Sequence, residues 1–433
     1  MAARASDDDT QGRLATLAVL ALVVGAAAGL IGAVFRIVLV QADALRDRVI
    51  IWAHGQALWG FAAVVLAGAA AALVATWLVR RFAPHASGSG IPHVEMVLRK
   101  EAPLAPYILL PVKFVGGVLA IGSGMALGRE GPSVQMGASI AQFVGTVFRR
   151  SWPDLRVLMA AGAGAGLATA FNSPIAGAVF VLEELVQRFE HRMAIAALAA
   201  SATAIAVARA LLGDAPDFAV EPLNHVPAIG QPLFLVLGVI AGLLAVGYNR
   251  LLLGSIALVA RFDRVPPEWR AAVIGAAVAV VAWFAPGLVG GGDPITQRTL
   301  SGAVVLAFLP VAFLIRALLG SASYAAGTPG GLFAPMLVLG AQLGLLCGAW
   351  QAALFPSLAI PPQAFAVVGM AAFFTGVVRA PMTGIVLIIE MTAAFNMLLP
   401  MLIACFAAML VPTLLGDTPI YEALRDRAAP KKR

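Results

Sequence analysis

Glu130 stands in Gly128-Arg129-Glu130-Gly131-Pro132, where a Gly-Pro step opens a helix that leads into an apolar run. A carboxylate at such a break in a hydrophobic chain is expensive to keep, and ion or proton handling is the chemistry that would retain it. Gly88-Ser89-Gly90-Ile91-Pro92 and Gly331-Leu332-Phe333-Ala334-Pro335 share the same grammar. In each, the proline suits the first helical position, where its missing N–H costs nothing. A helix that begins inside a membrane leaves backbone N–H groups unpaired and carries roughly half a positive charge at its start, so it attracts an anion. Several such starts converging would bind an anion through partial dipoles, weakly enough to let it leave. A carboxylate beside them competes with the anion, so protonating it would link anion and proton movement.

The elements that must position these residues are membrane helices. Of 433 residues, 61% are hydrophobic and 12% charged, with a mean hydropathy of +0.92. That leaves too little polar surface to coat a water-soluble globule. Eleven apolar runs fill the chain between residues 14 and 415. Several reach the ~20 residues that cross a ~30 Å hydrocarbon core, and others are too short to cross alone. The first run is too long for a signal-peptide core and lacks a small-residue cleavage pattern, so it reads as a retained span.

The chain repeats itself. Gly128 to Pro132, followed by Gly137-Ala138, aligns with Gly331 to Pro335, followed by Gly340-Ala341, at a shift of 203 residues. Pro174-Ile175-Ala176-Gly177 leading to Glu183 aligns with Pro381-Met382-Thr383-Gly384 leading to Glu390 at a shift of 207. One half present twice, meeting near the polar stretch 213–230, is the organisation of a transporter with its site at the repeat interface. Ser173 as N-cap and Pro174 as first residue open a helix whose nine residues to Leu182 rise ~14 Å before Glu183 and Glu184, about half a membrane. Glu183 has a repeat partner in Glu390, which points to a symmetric structural role.

The other polar residues carry less. The net charge of +7 comes largely as basic pairs at the ends of apolar runs, such as Arg80-Arg81, Arg99-Lys100 and Arg149-Arg150. That pattern anchors helices at the membrane surface and excludes a nucleic-acid partner. Cys347 and Cys405 lie within apolar runs, and the five histidines, beside polar flanks, have no ligand-like spacing, so neither a metal nor a disulfide is expected. Lys113, a charge inside an apolar run, either adds positive potential to an anion path or forms an ion pair, with Glu95 as partner. The Gly/Ala alternation from Ala160 to Gly166 follows no strand and reads as close helix packing. Arg129 and Arg379 read as structural.

In their order and spacing, the three Gly/Pro segments resemble the selectivity-filter segments of the CLC chloride channels and chloride/proton antiporters, specifically the short prokaryotic antiporters. The resemblance covers nearly the whole chain. It implies an all-α integral membrane protein of two inverted-topology repeats with broken and re-entrant helices, assembled as a homodimer with one pathway per subunit. It also implies that Ser89 and Tyr421 donate hydroxyls to a central chloride, that the Leu332 and Phe333 amides line the filter, and that Glu130 is the external gate and proton-transfer residue. Glu184 resembles the internal proton-transfer residue, which is usually apolar in channel members. Expected partners are chloride, protons and the bilayer, with chloride bound as substrate and no cofactor.

The expected organisation is a cytoplasmic tail over 1–13, one transport domain over 14–426 with repeats of about 14–215 and 231–426, and a basic tail over 427–433 without regulatory domains. The expected location is the prokaryotic inner membrane. Gln135 stands where some relatives carry histidine, and His93 where an acid is frequent; neither is expected to touch the anion donors. A passive chloride channel and a fluoride/proton antiporter share this architecture, although Ser89 argues against fluoride. An intramembrane serine protease would need a histidine inside a span to activate its serine.

Overall fold

Long apolar runs punctuated by Gly and Pro can satisfy their backbone inside a membrane only as helices or as a closed barrel. Here they fold as helices. The computed structural model describes residues 2–428, and the side chains of residues 14–56 and 58–428. The first half comprises α1 (Ala2–His54), α2 (Ala57–Phe82), α3 (Ile91–Leu98), α4 (Leu109–Gly122), α5 (Glu130–Val147), α6 (Trp152–Phe171), α7 (Pro174–Phe180) and α8 (His191–Leu212). The second comprises α9 (Gln231–Ala260), α10 (Pro267–Phe284), α11 (Asp293–Leu300), α12 (Leu309–Ala325), α13 (Phe333–Leu354), α14 (Pro362–Val378), α15 (Pro381–Thr392) and α16 (Leu398–Leu414). A last helix, α17 (Ile420–Ala428), follows. The residues of the basic tail beyond 428 lie outside those described.

Eight helices among the described residues are long and apolar enough to cross a membrane. Large apolar side chains lie bare on the outside, among them Leu58 at 83%, Trp59 at 85% and Phe284 at 77% exposure. This is the surface of a multi-pass membrane protein. In contrast, the eight residues of α3 and of α11 rise only about 12 Å, so neither crosses.

Element by element, α9–α16 repeat α1–α8. Each of the two short helices follows a 3-10 turn, at Pro84–Ala86 and Pro286–Leu288. Each also follows a glycine in the left-handed region, Gly90 (φ 84°) and Gly292 (φ 113°), where an L side chain would be strained. The packing repeats as well: α5 on α6 as α13 on α14, and α1 on α8 as α9 on α16. Contacts of α2 with α10 and of α7 with α15 join the halves. Only α17 has no counterpart.

Two details differ from the sequence reading. The last of the eleven apolar runs, residues 363–415, is three helices, broken at Arg379 and at Ala393, both in the left-handed conformation. The segment after Pro174 is α-helical only to Phe180 and then widens into a π turn over Val181–Leu185.

Without a hydrophobic force between helices in lipid, close backbone approach carries the packing. A Cβ on Gly137 would lie 2.1 Å from the Gly162 carbonyl oxygen, and one on Gly344 would lie 2.0 Å from that of Phe365. Gly137→Val or Gly344→Val should therefore force the α5–α6 or α13–α14 pair apart and cost about 3 kcal/mol. Gly254→Ala, in α9 with open space around it, should not destabilise the protein. Thermal unfolding in detergent distinguishes the three.

Candidate functional site

The three Gly/Pro segments meet, and backbone hydrogen bonds hold them together. Gly128 and Gly331 exchange N–H to carbonyl bonds of 2.9 and 2.7 Å. The Gly88 N–H donates to the Thr328 carbonyl at 3.1 Å, and the Gly330 N–H donates to the Gly88 carbonyl at 3.0 Å. Glycine is required for this approach. A Cβ on Gly131 would lie 2.5 Å from Ser89 Oγ, and one on Gly331 would lie 2.8 Å from the Gly131 nitrogen.

From this knot three helices start: α3 at Ile91, α5 at Glu130 and α13 at Phe333. The prolines therefore occupy the second, third and third helical positions, not the first. The correction has a simple cause, because none of the first four N–H groups of a helix has an intrahelical partner, so proline is free at each of these places.

Glu130 is fully buried. Its carboxylate reaches across to the other half: the Ala334 N–H, at the start of α13, donates to Oε1. The other oxygen, Oε2, has no partner. The side chain thus occupies the place an anion would take at the second half's helix start. Among the described residues, the Leu332 and Phe333 amides donate to no group of the chain. Ser89 Oγ and Tyr421 Oη are both buried; they lie beside each other, yet neither makes a hydrogen bond of normal geometry. The Phe333 ring sits 6.0 Å from that of Tyr421 and 4.7 Å from that of Phe374. The centre is therefore a set of neutral donors with free N–H and O–H groups, walled by aromatic rings and closed by one carboxylate. A buried donor without a partner is costly, and such a cluster has the chemistry to hold a small anion.

The support beneath it was only partly legible. Lys113 does not pair with Glu95: its Nζ donates to the Ala86 and Gly88 carbonyls at 3.0 and 2.7 Å, which holds the Ser89 loop. Glu95 instead meets Arg425 at 3.3 Å. Arg316, 203 residues after Lys113, does the same for the second half, with Nη1 3.0 Å from the Leu288 and Gly290 carbonyls. Gly290-Gly291-Gly292-Asp293-Pro294 is thus a fourth Gly/Pro helix start, the repeat partner of Gly88 to Pro92. It is hidden in the sequence because Gly291 and Asp293 replace Ser89 and Ile91. The shared shift of Lys113 and Arg316 was the signal that could have found it.

Ser173 flanks α7 without capping it, its hydroxyl turned to the Phe171 carbonyl at 2.8 Å. Glu390 provides the cap, accepting from the Ile175 and Ala176 N–H groups at 3.1 and 2.8 Å. Glu183 reciprocates on α15, accepting from Met382 at 3.0 Å and Thr383 at 2.6 Å. Glu184, next in sequence, is 7% exposed and has Glu95, Glu183, Glu422 and Arg425 as its charged neighbours. His93 is buried in α3, stacked on His85 with ring centroids 4.4 Å apart and 3.3 Å from Gln135 Nε2. Gln135 in turn packs on Gly90, whose Cβ would fall 2.2 Å from Oε1, so Gln135 does border the loop that carries Ser89. Arg129 and Arg379 both make ion pairs, Arg379 with Asp417 at 3.2 Å.

Fold and site define a multi-pass helical membrane protein with a repeated half and a neutral, donor-rich centre where helix starts meet. A family model described as voltage gated chloride channel matches residues 71–413. The chain belongs to that family. It is 38% identical over 415 residues to the H(+)/Cl(-) exchange transporter ClcA of Vibrio parahaemolyticus, covering 94% of this chain and 89% of that one. It is 37% identical over 420 residues to ClcA of Citrobacter koseri, covering 95% and 88%. Among solved structures, a slow cyanobacterial Cl-/H+ antiporter superposes with a TM-score of 0.91 at 33% identity, covering 96% of this chain and 98% of that one. A CLC-type fluoride/proton antiporter shares the fold at a TM-score of 0.78 and 24% identity, with coverages of 92% and 95%.

Lys113→Met should leave the buried Ala86 carbonyl without a donor and the Gly88 carbonyl with only the Gly330 N–H, and lower stability by about 2 kcal/mol. Arg188→Met, at an exposed position, should change it little; thermal unfolding of the purified protein compares them.

Proposed function

We propose that this protein exchanges chloride for protons across the inner membrane of a prokaryote. The observation that carries this reading is the Glu130 carboxylate seated on the Ala334 N–H beside the unpartnered Ser89 and Tyr421 hydroxyls. An ionised Glu130 and a chloride compete for the same helix dipoles. Once protonated, the side chain loses its attraction to the Ala334 amide and yields the seat. Chloride then occupies it, held by the hydroxyls of Ser89 and Tyr421 and the amides of Leu332 and Phe333. When the chloride leaves, the empty dipoles draw the carboxylate back and favour loss of its proton. Anion and proton therefore move alternately.

The proton's inner terminus in this reading is Glu184. Tyr421 lies within electrostatic reach of both Glu130 and Glu184, which supports a proton route that passes beside the anion centre. We further propose that the halves are inverted in the membrane, that α3 and α11 are re-entrant, and that both chain ends are cytoplasmic. Two copies would assemble through apolar faces such as Ile195 and Leu198 of α8 and Leu402 and Phe406 of α16, all exposed. Each subunit would carry its own pathway, and the rest of the apolar exterior would face lipid. The identity to named H(+)/Cl(-) exchange transporters supports the substrate pair.

A passive chloride channel of the same fold would need Glu184 uncoupled, and a chloride gradient would then drive no proton movement in liposomes. In the exchanger, Glu130→Gln should abolish uphill proton transport while chloride flux continues. Glu184→Gln should likewise leave chloride flux running and remove its proton coupling. Paired chloride-electrode and pH-electrode recordings on the same vesicles read both, and proton pumping by either variant would refute that residue's role.

A further inference from the structure

The residue before the gate carries a full positive charge, which a site built on partial dipoles should not tolerate unbalanced. Every donor side of Arg129 is occupied. Its Nε donates to the Ala170 carbonyl at 2.8 Å, its Nη2 meets Asp217 at 3.2 Å, and its Nη1 meets Asp293 at 2.5 Å. Asp217 is shared with Arg36 at 2.5 Å. The chain Arg36–Asp217–Arg129–Asp293 is therefore charge-balanced, two against two. Asp293 is its exposed end, at 40% side-chain exposure against 3% for Asp217. It lines a cavity of about 180 Å³ with Gly128, Arg129, Asp43 and Ala334, next to the amide that holds Glu130. Asp293 opens α11, the helix after the fourth Gly/Pro segment, where the first half has Ile91.

We propose that Asp293 is a positioning residue for Glu130 that acts through Arg129. By neutralising and holding the guanidinium it keeps Arg129 from pairing with the Glu130 carboxylate, and so sets the pH at which that carboxylate takes its proton. This rests on the exchange reading above. The charged and titratable groups around Glu130 are Arg129 on its own element, Asp293 of α11, Asp217 of the linker with Arg36 of α1 behind it, and Tyr421 of α17. Asp43 of α1, across the cavity, is already engaged by Arg46 at 2.6 Å. Removing the charge of Asp293 leaves one positive charge uncompensated beside the gate. A carboxylate next to a freer guanidinium holds its proton less readily, so exchange requires a more acidic outer solution.

The test is chloride-driven proton uptake in liposomes as a function of outer pH. Asp293→Asn and Asp293→Ser, the second keeping a helix-start oxygen, should move the midpoint of the profile to lower pH by on the order of one unit. Asp293→Glu should restore the wild-type midpoint, and Asp293→Asn should cause a clearly smaller shift in an Arg129→Gln background, where only the direct field of Asp293 on Glu130 is lost. An unchanged midpoint in folded Asp293→Asn or Asp293→Ser, or an equal shift without Arg129, would overturn the proposal; a loss of thermal stability alone would mark Asp293 as a tie between the halves. If the wild type moves no protons uphill, the exchange reading fails, and the Asp293 proposal is then decided on the pH midpoint of chloride efflux in the same variants.

Discussion

Everything in this protein is arranged around backbone N–H groups that have nowhere to donate. A helix that starts inside a membrane exposes them to a medium without water. The chain brings three such starts, Ile91, Glu130 and Phe333, to one place. Carbonyls cannot satisfy them all, because the segments cross too tightly for another strand of backbone. An anion is the partner such groups suit, and the chain supplies one of its own, the Glu130 carboxylate on the Ala334 amide. On the proposed reading that internal ligand is one a single proton would release.

Two of the turns that lead into short helices are held by buried cations. Lys113 and Arg316 spend their charge on carbonyls of the turns before α3 and α11. A buried cation aimed at the centre would bind chloride too firmly to release it, whereas one turned to carbonyls fixes the loops and leaves the dipoles to act. Glu183 and Glu390 follow the same economy. Each caps a helix start in the opposite half, so two otherwise costly carboxylates satisfy backbone N–H groups, while Glu184 beside Glu183 caps no helix start among the described residues.

The parts legible in the sequence were those with composition or punctuation behind them. Glu130, the three Gly/Pro segments and the repeat at a shift of 203 stand out because glycine and proline are rigid requirements of crossing backbones. The polar stretch 213–230 falls between the end of α8 at Leu212 and the start of α9 at Gln231. Side-chain partners were not legible. Lys113 with Glu95 was chemically reasonable, yet the lysine's reach was taken by carbonyls 25 and 27 residues away. The fourth helix start hid because two of its five residues differ from its partner, and only the shared geometry of Lys113 and Arg316 brings it out.

The asymmetry between matched halves is what makes a symmetric scaffold useful. Glu130 and Phe333 occupy equivalent first positions of α5 and α13, one titratable and the other apolar. Had both been carboxylates, two like charges would share one small site and only one could ionise readily; had both been phenylalanine, nothing would tie the anion to a proton. The reciprocal bonds between Gly128 and Gly331 fix the backbone on either side of that pair. With the backbone pinned, the Glu130 side chain is the titratable group at the joint, and on the exchange reading proposed above the alternation of anion and proton would need no larger rearrangement than its swing.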